Sequence, residues 1–435
     1  MAQLDAIIIG AGVIGAAIGY EMSRAGYRTL NVDANAEAGH GSTSGSCAVI
    51  RVHYSTLDGT ALAYEAYHYW HNWADYLGVE DERGLAEFLE LGCLVMKTDS
   101  NNDMQTHTGI CDQLGIRYEH WNEQQIKKHL PHVVLDKYSP AKRPGDAGYC
   151  EPTGGSLNGG VFFPQAGYVT DPALATHSLQ RAAEGHGAAF QYNARVAKIT
   201  TKDGRVSGVE LADGQQLMAP VVINVAGPAS RKLNEMAGVT DDMSIQTRAL
   251  KQEVVHVPMP EGYFANGQKI LVSDNDTFLY CRPEKGDSLL IGSEDPPCDP
   301  HVWVDDPDSD EWRHFSEQAQ VQAMRMAQRA PTIGIPNATR GVVDLYDVTD
   351  DWIPIYDKSS LPGFYMACGT SGNQFKNAPV VGKIMTELVR YCEEGNDHDV
   401  NPAALKLSYT DTSLDLGFFS RKREINQDSS FSVLG

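Results

Sequence analysis

Residues 5–33 constrain the fold more than any other part of the chain. A short apolar run, Asp5–Ile9, leads at once into Gly10-Ala11-Gly12-Val13-Ile14-Gly15. A helix-compatible stretch continues to Ala25, Gly26 stops it, and Arg28–Val32 reads as a second strand that ends on Asp33. Strand, glycine-rich turn, helix, strand and acid in this order form the dinucleotide-binding fingerprint. Each residue has a task. Gly10 permits the tight turn, Gly12 leaves no side chain between a pyrophosphate and the backbone, and Gly15 lets the helix pack closely on the sheet. The first-turn amides, at Val13 and Ile14, face the phosphates. Asp33 can accept hydrogen bonds from an adenosine ribose and would repel a 2′-phosphate, which favours FAD or NAD over NADP.

Composition narrows the partners. With 435 residues the chain is long enough for two intertwined domains. A net charge of −22 disfavours nucleic acid and anionic membrane as partners, and an anionic substrate would need a local positive pocket. No signal peptide is expected, because the first strand starts within a few residues of Met1, and no apolar run reaches the roughly 18–20 residues of a membrane span. The eight cysteines are scattered without a CxxC pair, which reads as free thiols in a reducing cytoplasm with no disulfide frame and no structural zinc. No metal site is expected: the His-rich stretch at 67–71 lacks zinc-ligand spacing, and Asp299–Glu311 reads as a solvated acidic loop.

Periodicity and turn signals sketch the rest. Residues 57–77 read as a helix, Phe88–Met96 as a strand, and 139–160, dense in Gly, Pro and charge, as a long loop. Asp171-Pro172 is a helix-start signal for 173–184. Strands are expected near 195–200 and 205–211 around an Asp203-Gly204 turn, at Val221–Val225, and at Phe364–Ala367, with alternating strands across 248–334. A helix follows from about Ala378 to Glu393. The tail, 416–435, reads either as a docking arm, onto its own fold or a partner, or as a frayed end.

Separated segments combine into a family pattern. The fingerprint is followed by GHGSTSG at 39–45, VIRVHY at 49–54, GYVTDP at 167–172, VVINVAGPAS at 221–230, LYDVTDDWIPIYD at 345–357 and GTSGNQFK at 369–376. Together they resemble the FAD-dependent amine and amino-acid oxidoreductases of the D-amino-acid-oxidase superfamily, most of all the sarcosine oxidase group in its monomeric and β-subunit forms. The resemblance runs from about residue 5 to 410. It implies a mixed α/β fold, with a Rossmann-like FAD-binding domain assembled from 1–84, 166–236 and 335–410. A substrate domain with a mixed, mostly antiparallel sheet would come from 85–165 and 237–334, leaving 411–435 as a C-terminal tail. The implied reaction is hydride transfer from the carbon beside an amine to flavin, followed by hydrolysis of the imine.

The resemblance also assigns residues. Gly10, Gly12, Gly15 and Asp33 match the pyrophosphate and ribose positions, Gly41 and Ser42 the loop touching the phosphates, and Val196 the strand whose backbone meets the adenine. Gly227 belongs to the strand-turn that closes Val221–Val225. Gly369, Thr370, Gly372, Asn373 and Gln374 match the turn aimed at the flavin pyrimidine edge. Arg51 and Lys376 match the pair that holds a substrate carboxylate, and a guanidinium fork beside an ammonium suits that task on chemical grounds alone. The plain alternatives are a structural ion pair for Arg51 and a surface lysine for Lys376. Tyr280 and Tyr346 match cavity-wall aromatics, with core packing as the alternative. Glu294 falls where monomeric enzymes often have a histidine, and would either meet the substrate amine or face solvent.

Departures from the pattern refine this. The positions matching covalent flavin attachment are Asp344 and Gly45, so FAD is expected to bind noncovalently. The position of an oxygen-activating lysine is matched by Leu290, which leaves oxygen and another electron acceptor both open. The leading expectation is oxidation of a small secondary-amine amino acid, N-methyl or cyclic. A D-amino acid or glycine oxidase or dehydrogenase is the alternative, as is a flavoprotein subunit of a homo- or hetero-oligomer contacting its partner through the tail. A tRNA-modifying flavoenzyme is disfavoured by charge, and a binding protein without turnover is the remaining class.

Overall fold

The computed structural model describes residues 3–434. Its centre is a parallel sheet in which Ala6–Ile9 lies between Val221–Asn224 and Thr29–Val32, with Ala189–Gln191 beyond the latter. On the other side Phe364–Cys368 continues the parallel run, and Ile355–Lys358 closes it as an antiparallel edge. The four residues of Ala6–Ile9 and of Val221–Asn224 are buried throughout, the near-continuous apolar run of strands covered on both faces. The helix Val13–Arg24 packs between the helices Pro172–Gly185 and Ala378–Glu393 on one side of this sheet. Asp171 caps the second of these, its carboxylate accepting from the Leu174 amide at 2.9 Å.

The second large sheet is mixed. Thr247–Pro258, Ser288–Ser293, Leu279–Glu284 and Leu271–Asp274 run antiparallel in that order, and Gly341–Thr349 pairs with Thr247–Pro258 along its length. Leu271–Asp274 then meets Cys93–Met96 in parallel, followed by Gly160–Phe163 and Glu119–Trp121. A small antiparallel sheet, Val196–Lys202, Arg205–Leu211 and Gln216–Met218, turns at Asp203-Gly204 as its sequence indicates.

Three segments differ in secondary structure from the sequence reading. The helix expected over 57–77 is two, Leu57–His71 and Trp73–Leu77, divided at Asn72. The expected strand Phe88–Met96 is also two: Phe88–Glu90 pairs with Gly167–Val169, whereas Cys93–Met96 joins the large sheet. Between them the Leu91 and Gly92 amides both donate to the Ala166 carbonyl, at 3.0 and 2.8 Å, which turns the chain from one sheet to the other. The strand-rich stretch 248–334 contains a helix, Glu317–Arg329, capped by Ser316. Its buried face mixes Ala319, Ala323 and Met326 with Gln322, Arg325 and Arg329, so its apolar stripe is short and interrupted by charge.

The acidic loop is more than a solvated run. Asp299 is buried between Arg325 and Arg143, at 2.6 and 2.8 Å, while Asp306 and Asp308 pair with Lys232 and Arg195. The tail docks on its own fold. Arg421, 1% exposed, pairs with Asp242, Asp357 and Asp399 at 2.5, 3.0 and 2.9 Å, and Arg423 pairs with Asp351 at 2.7 Å. No helix of the described residues is long and apolar enough to cross a membrane.

Candidate active site

A cavity of about 680 Å³ opens between the two large sheets. One end is built by the fingerprint. Gly10 has φ +123°, and a Cβ there would lie 2.3 Å from the Val225 carbonyl oxygen, so the turn brings the first strand's end against its neighbour. The helix that follows starts at Val13 with no side-chain cap and no acid in its first turn, which leaves its N-terminus suited to an anion. Thr43 joins it by accepting from the Val13 amide at 3.1 Å. Gly10, Gly12, Val13, Ile14, Gly15, Asp33, Gly41, Ser42, Val196 and Gly227 all line this part of the cavity. The Asp33 carboxylate accepts from the amides of Ala11 and Asn35 at 2.7 and 2.8 Å, so part of its task is to hold the turn itself.

The other end is framed by the turn after Phe364–Cys368. Thr370, Gly372, Asn373, Gln374 and Lys376 line the cavity, whereas Gly369 does not. The Gly369 amide instead donates to Asp347 at 2.5 Å, whose carboxyl burial pushes up to about 7. Gly372 is required by close packing: a Cβ there would sit 2.3 Å from the Tyr346 ring. The Asn373 Nδ2 is buried and has no hydrogen-bond partner among the described residues. A donor left open on a cavity wall, a glycine cradle and a helix N-terminus with no acid in its first turn together fit a long dinucleotide with a polar ring edge.

Beyond that turn the two expected cations come together. Arg51 is 6% exposed, its guanidinium 4.1 Å over the Tyr54 ring. Lys376 is 3% exposed, its Nζ donating to the Tyr54 hydroxyl at 2.9 Å and the Asn373 carbonyl at 2.6 Å. Burial, and then Arg51, hold the Lys376 ammonium well below the usual lysine range. Among the described residues neither cation pairs with a carboxylate. Lys376 is thus not a surface lysine, and Arg51 makes no ion pair among the described residues. Arg51 instead donates to backbone carbonyls, those of His53, Val433 and Leu434.

Tyr280 and Tyr346 also line the cavity, both phenols raised by burial. The Tyr280 hydroxyl lies 3.0 Å from the Cys47 sulfur. Glu294 meets neither the cavity nor solvent. It is 2% exposed and accepts from Ser273 Oγ at 2.6 Å and Asn275 Nδ2 at 2.7 Å, with burial pushing it up to about 8. Ser273 stands on the cavity wall in front of it. Leu290 lies in the strand Ser288–Ser293, away from the cavity lining.

Sequence reasoning missed Thr43, Cys47, Tyr54, Ser273 and the pair Val433–Leu434. Tyr54 had a signal, three residues after Arg51 in the same motif. Val433 and Leu434 had none, because nothing in a sequence joins them to residue 51. Away from the cavity, Asp81, Glu82 and His177 converge as ligand-type side chains. Their atoms are already engaged, Asp81 by His177 and Ser178 and Glu82 by Arg181.

Comparison with known proteins bears on the family and the fold. The chain is 26% identical over 398 residues to a 4-methylaminobutanoate oxidase (formaldehyde-forming) of Paenarthrobacter nicotinovorans, covering 88% of this chain and 43% of that protein. It therefore spans less than half the length of that relative. It is 25% identical over 392 residues to the sarcosine oxidase subunit beta of Rhodobacter capsulatus, covering 89% of this chain and 85% of that protein. Its fold matches the crystal structure of glycine oxidase from Geobacillus kaustophilus with a TM-score of 0.73 at 20% identity, covering 98% of this chain and 100% of the other. A model of the FAD dependent oxidoreductase (DAO) family matches residues 5–388, the stretch that builds both ends of the cavity, and the chain belongs to that family.

Proposed function

We propose that the chain oxidises the C–N bond of a small amine carrying a carboxylate, most simply a secondary-amine amino acid of the N-methyl or cyclic kind. One observation carries this reading: in a chain of net charge −22, two buried basic side chains on one cavity wall have no carboxylate partner among the described residues. Burying an unpaired charge is costly, and a ligand carboxylate would supply the missing partner to both. The names of the similar proteins, a methylaminobutanoate oxidase, a sarcosine oxidase subunit and a glycine oxidase, support the same substrate class.

When bound, FAD supplies the acceptor for the hydride leaving the carbon beside nitrogen. The chain does the rest. The amides at the start of the helix Val13–Arg24 hold the pyrophosphate, Asp33 and Val196 the adenosine, and the Thr370–Gln374 turn the ring edge. With Gly45 and Asp344 at the two attachment positions, neither supplies a thiol or an imidazole, and we read the cofactor as noncovalent. In this reading the segments 1–84, 166–236 and 335–410 form the cofactor-holding unit. Arg51 grips the substrate carboxylate, Lys376 adds a point charge, and Tyr280 and Tyr346 wall the amine's side. The amine reacts in its neutral form, so its proton must leave before hydride transfer.

The test is anaerobic mixing of the yellow protein with sarcosine, other N-methyl amino acids, proline, glycine and D-amino acids, followed at the flavin band near ~450 nm. Bleaching by one compound names the substrate, and fast recolouring in air identifies oxygen as the acceptor. Arg51→Ala and Lys376→Met should each raise KM for that compound on the order of a hundredfold with FAD retained. Unchanged KM in both variants would sink the carboxylate clamp.

A second reading rests on the likeness to a protein named as a subunit: the chain works within a hetero-oligomer. The mass of the native complex would separate it from a self-sufficient enzyme. We place the protein in the cytoplasm, a reading supported by its eight free cysteines.

A further inference from the structure

One edge of the Arg51 guanidinium is already taken. Its Nη2 donates to the carbonyl oxygens of Val433 and Leu434, at 3.0 and 2.5 Å. With Nη2 bonded to both carbonyls and Nη1 donating to the His53 carbonyl, the guanidinium keeps no free pair of N–H groups for the two oxygens of a ligand carboxylate. Both residues line the cavity, and Val433 is buried with Leu250, Val348 and Trp352, beside Tyr346.

The segment is anchored firmly up to one point and lightly past it. Arg421 and Arg423 hold it through buried ion pairs, and Ser429 Oγ donates to the Asp351 carbonyl at 2.5 Å. Past Ser429 the contacts of the described residues are local ones, Phe431 N to Ser429 Oγ, Ser430 Oγ with Ser432 Oγ and Leu434 N to Ser432 Oγ, plus the apolar seat of Val433 and the two bonds from Arg51. A strong root and a lightly held tip describe an element whose tip can leave while its root stays.

We propose that Val433 and Leu434 are specificity-determining residues: their carbonyls occupy the Arg51 edge until a carboxylate-bearing ligand displaces them. This deepens the carboxylate-clamp reading above and rests on it. The carbonyls are neutral, and a ligand carboxylate is charged. A carboxylate adds the attraction of a full opposite charge to the hydrogen bonds that the ionised guanidinium already makes, and it also meets Lys376, for which the carbonyls of 433–434 provide nothing. A neutral amine has no such advantage and leaves the tip in place. The segment thus favours carboxylate-bearing ligands over simple amines, and it lowers the apparent affinity of every ligand by the fraction of time the edge is covered.

Acetate is the probe, because it has the carboxylate and no amine to oxidise. It is titrated into flavin-loaded protein while the flavin spectrum is followed. Three proteins are compared: the full chain, the chain with residues 430–435 deleted, and full-length Ser429→Ala. Acetate should bind at least about tenfold more tightly to the shortened chain and about threefold more tightly to Ser429→Ala. An amidated peptide of residues 426–434 should compete with acetate on the shortened chain, and Arg51→Ala in that background should abolish the response. Equal acetate affinity in the three proteins overturns the proposal. Should the deletion cost the flavin, Ser429→Ala decides alone. If acetate behaves as expected while no amino acid bleaches the flavin, the displaceable segment stands and amine oxidation falls. If amino acids bleach it and acetate affinity is equal throughout, the segment's role falls and the function stands.

Discussion

Burial acts in opposite directions on Lys376 and Glu294, lowering the first and raising the second, so in each it works against the charged form. For Lys376 it favours the free amine; for Glu294 it favours the acid, against the two hydrogen bonds that would support a carboxylate. Glu294 makes a stability prediction. Its ordinary value is 4.5 and its value in the fold about 8, so the folded state keeps a proton that the unfolded state loses. The contribution is complete below pH 4.5 and is lost as pH rises through 8, a change on the order of 5 kcal/mol at most. Glu294→Gln removes the titration. Its melting temperature should therefore fall less between about pH 6 and about pH 9 than that of the unaltered chain. Parallel curves would mean that Glu294 is already ionised in the fold. Lys376 makes the complementary case for ligands: an anion beside it restores the proton, so carboxylate binding should weaken as pH rises.

The helix Glu317–Arg329 shows what an element can hide. Arg329 is buried at its C-terminal end, bonded to Asp274 and Asp276 at 2.7 Å each and to the carbonyls of Val134 and Asp136. It ties the helix to the end of the strand Leu271–Asp274, next to Ser273 on the cavity wall. Arg329→Met would leave two buried carboxylates uncompensated and should cost about 3–5 kcal/mol in urea unfolding. Changing Asp274 and Asp276 to Asn in the same chain should recover much of that loss. The same helix explains why the sequence was only partly legible. Elements with an apolar run or an apolar period, such as Ala6–Ile9, Pro172–Gly185 and Ala378–Glu393, stood out because local chemistry and burial agree there. Glu317–Arg329 buries charge against charge that lies up to 55 residues away, a pairing invisible to periodicity. The site divides in the same way. Arg51 and Lys376 could be picked out because each sits in a local motif. The carbonyl oxygens of Val433 and Leu434 could not, since backbone atoms carry no signature and their partner is almost the whole chain away.

At the scale of the molecule, the net charge of −22 opposes the two cations that the cavity holds. A ligand outside the protein feels the sum, while a ligand inside feels Arg51 and Lys376. The Debye length at physiological salt is about 8 Å, so the negative surface is screened by salt while a pair deep in the cavity is screened much less. Salt should therefore act on the approach of the substrate more than on its grip. A zwitterionic amino acid carries no net charge and should approach alike at low and high salt. An amine with two carboxylates is a net anion, repelled at low salt by the surface that the cavity's cations cannot offset at a distance. Raising ionic strength from about 20 to about 200 mM should accordingly raise kcat/KM severalfold for a dicarboxylate amine and leave that of a zwitterion nearly unchanged. Stopped-flow flavin reduction at low substrate measures both. A fall for both would place the dominant field at the mouth of the cavity, with the two cations governing encounter as well as binding. A rise for the anion alone would mean that the acidic surface selects against net anions before Arg51 is reached, which favours a small zwitterion over a dicarboxylate as the substrate.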